Sequence, residues 1–311
     1  MLLETLINPK PKTTVYFAVV SFLFLAIPLL NVNLENYYPQ FSYPYLIFFG
    51  SIFVLLLHAF GLNNLIYNNN IIKKENLIIA TVFILLNTFN IGVFEDIVSS
   101  FLLLFFINKL FESYQKEYPF NEIFVCSLII SLLVVVNSIM VLLLPIIFIS
   151  GLIFNFSNWR CYIVSLIGLS MPLLIYLIFI SLIGGEFTPL KHINLPKFSD
   201  NTSDLIIFYR ENNWVANIFI FIIIISLFEF FSWLYKKSIR SRKSFFILLS
   251  YLILSILIGI VGDKNNWYII LAPISVFIAN YFTYTKKRNL ANILFYIFIF
   301  TSLYYRCMII I

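Results

Sequence analysis

Two carboxylates stand side by side at Glu95 and Asp96, directly after the stretch Phe89-Asn90-Ile91-Gly92-Val93-Phe94. Adjacent acids repel one another, and any loss of water raises the pKa of one of the pair. Such a pair can bind a divalent cation or work as acid and base. At a helix start the same residues would also be stabilised by the free backbone amides, with Asp96 as the cap. Asn87 and Asn90 precede them by about one turn and would extend a polar cavity inward. A third acid, Glu35, lies in the polar run Asn31-Val32-Asn33-Leu34-Glu35-Asn36-Tyr37-Tyr38. Its setting suits either a base at a membrane surface or a solvated loop. Glu95, Asp96 and Glu35 are therefore the candidate catalytic residues.

Lys191, His192, Arg210 and Trp214 fall in one long polar stretch. Cations beside an interfacial aromatic suit a phosphate head group or a sugar, and these four are the candidate substrate-binding residues. Glu229 stands inside the apolar run Phe228-Glu229-Phe230-Phe231. An acid in such a place is costly and is a candidate for proton or ion transfer. Lys236, seven residues on and about 10 Å away at helical rise, is also within pairing reach.

The absences exclude several chemistries. The chain has no Gly-rich phosphate loop and no CxxC, HExxH or GxSxG pattern. Its two histidines, His58 and His192, do not supply a multi-histidine haem or iron centre. No metal and no cofactor is expected. The three cysteines, Cys126, Cys161 and Cys307, read as buried apolar thiols.

The elements that must carry these residues are set by composition. Of 311 residues, 61% are hydrophobic and 11% charged, with mean hydropathy +0.97. A soluble domain holds roughly 25% charged residues, so lipid must be the main solvent of this chain. A membrane-spanning helix needs roughly 20 apolar residues. Eleven stretches qualify: 13–31, 44–66, 76–92, 95–111, 121–137, 139–155, 161–184, 214–235, 243–262, 267–284 and 290–308. The first reads as a retained helix and not as a cleaved signal. The pair 121–155 is expected to form a tight hairpin turning near Asn137-Ser138, which neighbouring helices must shield. Pro28, Pro145, Pro172 and Pro273 fall within these stretches and suggest breaks that shape an interior.

With the N-terminus inside, fifteen of the 20 Lys and Arg fall on the cytoplasmic side. Every connection on that side carries a positive residue, as resistance of cations to translocation requires. The net charge of +6 thus reflects orientation, and nucleic-acid binding is not expected. The fold class is all-α: a polytopic transmembrane helical bundle of about eleven spans, N-inside and C-outside. Residues 1–311 read as one domain with an outer loop at 185–213.

Asn69-Asn70-Ile71-Ile72-Lys73-Lys74-Glu75-Asn76-Leu77, the hairpin 121–155, Asn158-Trp159-Arg160, and Ala272-Pro273 through Asn280-Tyr281 together resemble an uncharacterised polytopic membrane family of Bacteroidota, domain of unknown function 6427. More distantly, the layout is similar to multi-span glycosyl transferases that use polyprenyl-phosphate-linked sugars. Those also begin inside, place acids in the first two outer loops, and carry a large outer loop after span seven. The resemblance implies an inner-membrane protein that binds or transfers lipid-linked glycan at the periplasmic face. The first outer loop, about residues 32–43, is much shorter than in those enzymes. Two other expectations stand beside this one: a non-catalytic partner of a cell-envelope or secretion complex, and a transporter using Glu229.

Overall fold

The computed structural model describes residues 2–30, 43–89, 94–184, 213–261 and 264–308. Among them there is no strand, and a helix falls on each of the eleven apolar stretches. In chain order the helices are α1 (Leu2–Ile7), α2 (Pro11–Ala26), α3 (Pro44–Asn68), α4 (Ile78–Leu86), α5 (Phe94–Glu112), α6 (Phe120–Val136), α7 (Pro145–Phe154), α8 (Trp159–Ile183), α9 (Asn213–Trp233), α10 (Ile239–Val261), α11 (Tyr268–Tyr284) and α12 (Arg288–Met308). Six stretches are long and apolar enough to cross a membrane: Pro11–Leu29, Pro44–Asn68, Trp159–Ile183, Trp214–Lys236, Ile239–Val261 and Arg288–Cys307. The protein is therefore a membrane protein of the helical type. The helices at 120–136, 138–154 and 268–284 are apolar but shorter. Helix α4 has only nine α-helical residues, and α5 carries Glu95, Asp96, Lys109 and Glu112.

The chain divides into two compact units. The first comprises Met1–Phe101, Asp204–Lys237 and Leu271–Ile311, and the second Leu102–Ser203 and Ser238–Ile270. In the first unit every residue of α4 from Ile78 to Leu86 is buried except the half-buried Thr81, as expected of a helix that is apolar nearly all round. Asn76 starts it: its Oδ1 accepts from Ile78 N at 3.1 Å, and its Nδ2 donates to Lys74 O at 2.8 Å. Leu77 N donates to Leu6 O at 2.8 Å, which ties α1 to the same turn. Phenylalanines make the interhelical seams. Phe230 meets Phe277 at 5.1 Å, Phe282 meets Phe295 at 5.2 Å and Phe219 meets Phe298 at 5.1 Å, each edge to face. Edge-to-face geometry of this kind is favoured by the aromatic quadrupole.

The second unit is built on small residues that let helices approach closely. Gly168 of α8 lies against the Ser127 side chain and the Phe124 carbonyl of α6, and Ser131 Oγ donates to Leu169 O at 2.6 Å. The hairpin turns at Asn137, which is extended (φ −141°, ψ 107°) between α6 and the 3₁₀ segment Ser138–Leu143. Its side chain donates to Asn266 Oδ1 at 2.7 Å and accepts from Ile139 N at 3.3 Å. That shields the break as a low-dielectric setting requires. Helix α8 is the least covered of the candidate spans, with 17% of its apolar window buried. Pro28 lies in the 3₁₀ turn that ends α2, Pro145 opens α7, and Pro172 and Pro273 sit inside α8 and α11.

A side chain at Gly168 has nowhere to go, because its Cβ would stand 2.8 Å from the Phe124 carbonyl oxygen. Gly168→Val should force α6 and α8 apart and destabilise the protein by about 2 kcal/mol. Thermal unfolding in detergent should show a clear drop in midpoint, whereas Gly50→Ala, whose Cβ would meet only the Phe94 ring at an ordinary 3.7 Å, should cost less.

Candidate functional site

Within the first unit the chain ends of several helices gather at one pole. Phe94, opening α5, approaches Gly50 in the second turn of α3. Trp214, opening α9, packs its ring 4.8 Å from Tyr304 near the end of α12. The last turns of α2 and α4 meet there around Arg306. The candidate acids Glu95 and Asp96 occupy the first turn of α5 at this pole, where the helix dipole stabilises negative charge. Glu95 is exposed and Asp96 half-buried. Helix α5 begins before either, so Asp96 sits inside the first turn and not at the cap position.

Asp96 and Ser100 are four residues apart and so share a helix face. Ser100 Oγ lies 3.3 Å from His58 Nδ1 and 3.0 Å from Ile97 O. The hydroxyl has one proton. If that proton serves Ile97 O, His58 Nδ1–H donates to Ser100, and Nε2 keeps a bare lone pair. Nε2 has no hydrogen-bond partner among the described residues. The imidazole is 1% exposed and its ring centre lies 4.4 Å from that of Phe83, the planes tilted by 40°. His58 lacks the further histidines that a haem or iron centre would need. The overlooked signal was a polar ring in the apolar run Leu56-Leu57-His58-Ala59-Phe60.

Arg306, near the end of α12, is a second polar residue of the interior. It is 3% exposed and donates to three main-chain carbonyls, Leu25 O at 2.9 Å, Asn87 O at 3.4 Å and Thr88 O at 3.5 Å. Those carbonyls belong to helix ends, which lack intrahelical donors and carry partial negative charge.

An apolar groove of about 640 Å³ runs along α2 in the same unit. Leu2, Leu6 and Thr13 line one end and Ile27 and Leu303 the other. From Thr13 to Ile27 is about 20 Å at helical rise.

Of the other candidates, Trp214 is 45% exposed at the acidic pole. Glu35, Lys191, His192 and Arg210 lie outside the described residues. Glu229 is half-buried; its carboxylate bonds Thr285 and feels the charge of Lys287. Lys236, the partner expected for it, lies instead 4.7 Å over the Trp233 ring. Cys126 and Cys161 are buried as expected, whereas Cys307 is exposed. Its position three from Tyr304 on α12 turns it away from the buried Thr301 and Ser302 side. Among the described residues no group of three or more acids, histidines or cysteines forms a metal-binding set.

Arg306→Gln should leave helix-end carbonyls without donors in an apolar setting. A loss of about 3 kcal/mol or more is expected, since bonds to charged groups contribute roughly 1.5–3 kcal/mol each. Arg306→Lys, keeping the charge but not the fork, should recover part of it. Thermal midpoints of the purified variants check both.

No family model matches the chain, no curated protein matches it, and no solved structure matches it.

Proposed function

We propose that this chain is a multi-pass protein of a bacterial inner membrane that starts in the cytoplasm, makes about eleven crossings, and handles a lipid-linked glycan at the periplasmic face. The observation that carries this reading is the pairing of an apolar groove about 20 Å long with an acidic pole in one unit. A polyprenyl chain is an apolar thread of that kind, and its phosphate-linked sugar would emerge near Glu95, Asp96 and Trp214. The orientation is supported by the lysines of 73–74, 236–237 and 286–287, which belong to the opposite ends of the helices.

In this reading Glu95, exposed and near water, takes the proton of an acceptor hydroxyl. The acceptor oxygen then bonds to the anomeric carbon, and the polyprenyl phosphate leaves with the electron pair of the broken C–O bond. Asp96 holds Glu95 and the sugar in place, and Glu35 joins them from the preceding polar run. Trp214 stacks on the sugar, and Lys191, His192 and Arg210 attract its phosphate. Sugar chemistry commonly uses such a carboxylate pair. Glu229 belongs to none of these steps, because its carboxylate is already engaged by Thr285 and Lys287.

Glu95→Gln and Asp96→Ala should each fail to restore the envelope glycan when expressed in a deletion strain, while the protein still inserts at wild-type level. Complementation by both variants would remove the glycan reading. It would favour a non-catalytic partner of an envelope complex, a role for which the little-covered α8 offers a surface.

A further inference from the structure

The pole of the first unit opposite the acids has a charge pattern that the glycan reading does not use. Three connections meet there. They are the turn 69–77 between α3 and α4, the segment 234–237 after α9, and the segment 285–287 between α11 and α12. They bring six lysines together, Lys73, Lys74, Lys236, Lys237, Lys286 and Lys287, against the acids Glu75 and Glu229. The lysines do not merely share a face; they converge on two rings. Lys237 Nζ lies 4.8 Å and Lys74 Nζ 5.9 Å from the Tyr284 ring centre. Lys236 Nζ lies 4.7 Å and Lys286 Nζ 5.8 Å from Trp233. Two hydrogen bonds hold the arrangement: Lys73 N donates to Tyr284 Oη at 3.1 Å, and Lys237 Nζ donates to Asn280 Oδ1 at 2.6 Å.

Two ammonium groups on one ring gain from its face but repel each other. A bridging anion would relieve that repulsion. Burial already brings the Lys237 amine down to about 7, so a neighbouring anion would also restore its proton. The ends of three candidate spans, Pro44–Asn68, Trp214–Lys236 and Arg288–Cys307, set this pole at head-group depth.

An exposed apolar stripe beside the lysines would suit an anion that carries a tail. Ile224, Phe228, Phe231 and Tyr235 are 58%, 79%, 52% and 84% exposed. Their spacing of four, three and four residues forms one continuous stripe on the α9 side, ending at the Trp233 lysines.

We propose that the lysine pole around Tyr284 and Trp233 is a binding site for one anionic phospholipid, whose phosphate lies among Lys74, Lys236 and Lys286 and whose acyl chain follows the Ile224–Tyr235 stripe. Basic pockets between membrane helices recognise phospholipid head groups through this chemistry. The site is independent of Glu95 and Asp96, so it stands or falls apart from the glycan reading.

The test uses the full chain in phosphatidylcholine nanodiscs containing a minor fraction of chain-brominated phosphatidylglycerol. Brominated phosphatidylcholine at the same fraction is the control, and tryptophan quenching is read. Brominated phosphatidylglycerol should quench more strongly, and the excess should vanish in Trp233→Phe. Each lysine near an anionic surface contributes about fivefold in affinity. The exposed triple variant Lys74→Gln/Lys236→Gln/Lys286→Gln should therefore lose the preference, and the triple Lys→Arg variant should keep it. Soluble glycerol phosphate should not compete. Equal quenching by the two lipids, a preference that survives the Gln variant, or full competition by glycerol phosphate would each overturn the proposal.

Discussion

Everything in this fold answers to one constraint: inside a bilayer, no backbone carbonyl or amide can turn to water for a partner. Long unbroken helices meet it by themselves, and α3 and α10 do so over 25 and 23 residues. Several elements of this chain are broken, however. Helix α2 passes into a 3₁₀ turn at Ile27, α4 stops at Leu86, and α6 stops at Val136. Each break leaves carbonyls that a side chain must serve. Arg306 serves those at Leu25, Asn87 and Thr88, and the Asn137–Asn266 pair closes the hairpin. Serine hydroxyls do the same on a smaller scale, donating to carbonyls three or four residues back, as Ser51 and Ser150 do.

The polar residues of the interior fall into two groups by this criterion. Arg306 and Asn76 have their hydrogen bonds directed at backbone, Asn137 bonds Ile139 N and the Asn266 side chain, and all three hold helix ends. His58 does not close a helix end. It uses one ring nitrogen on Ser100 and keeps the other for no described partner. Its position one turn below the acid-bearing turn links it to the acidic pole and not to the scaffold.

Much of the architecture was legible in the residues. Hydrophobic length located a helix in each of the eleven stretches but not the short α1, and the turn at Asn137 followed from a stretch too long for one helix and short for two. Crossing competence was less legible. The stretch at 76–92 counts as apolar, yet its helix is short because Asn87 and Thr88 bond back to Phe83 and Leu85 and draw the chain into a 3₁₀ turn. The pairing of Glu229 with Lys236 was plausible by spacing. It failed because Trp233, three residues before Lys236, offers the ammonium a nearer aromatic face. The roles of Arg306 and the convergence of lysines on Tyr284 are long-range facts, joining residues about 200 positions apart. No local pattern encodes them.

The central claim is that the acidic pole and the lysine pole of the first unit lie on opposite faces of the bilayer, acids outward. Single cysteines placed at Glu95 and at Lys286, in a chain whose three native cysteines are replaced by alanine, test it with a membrane-impermeant maleimide. The account predicts that position 95 labels in cells whose outer membrane alone is permeable, and position 286 only after the inner membrane is opened. Labelling of both positions from the same side, or of 286 alone from outside, would contradict it.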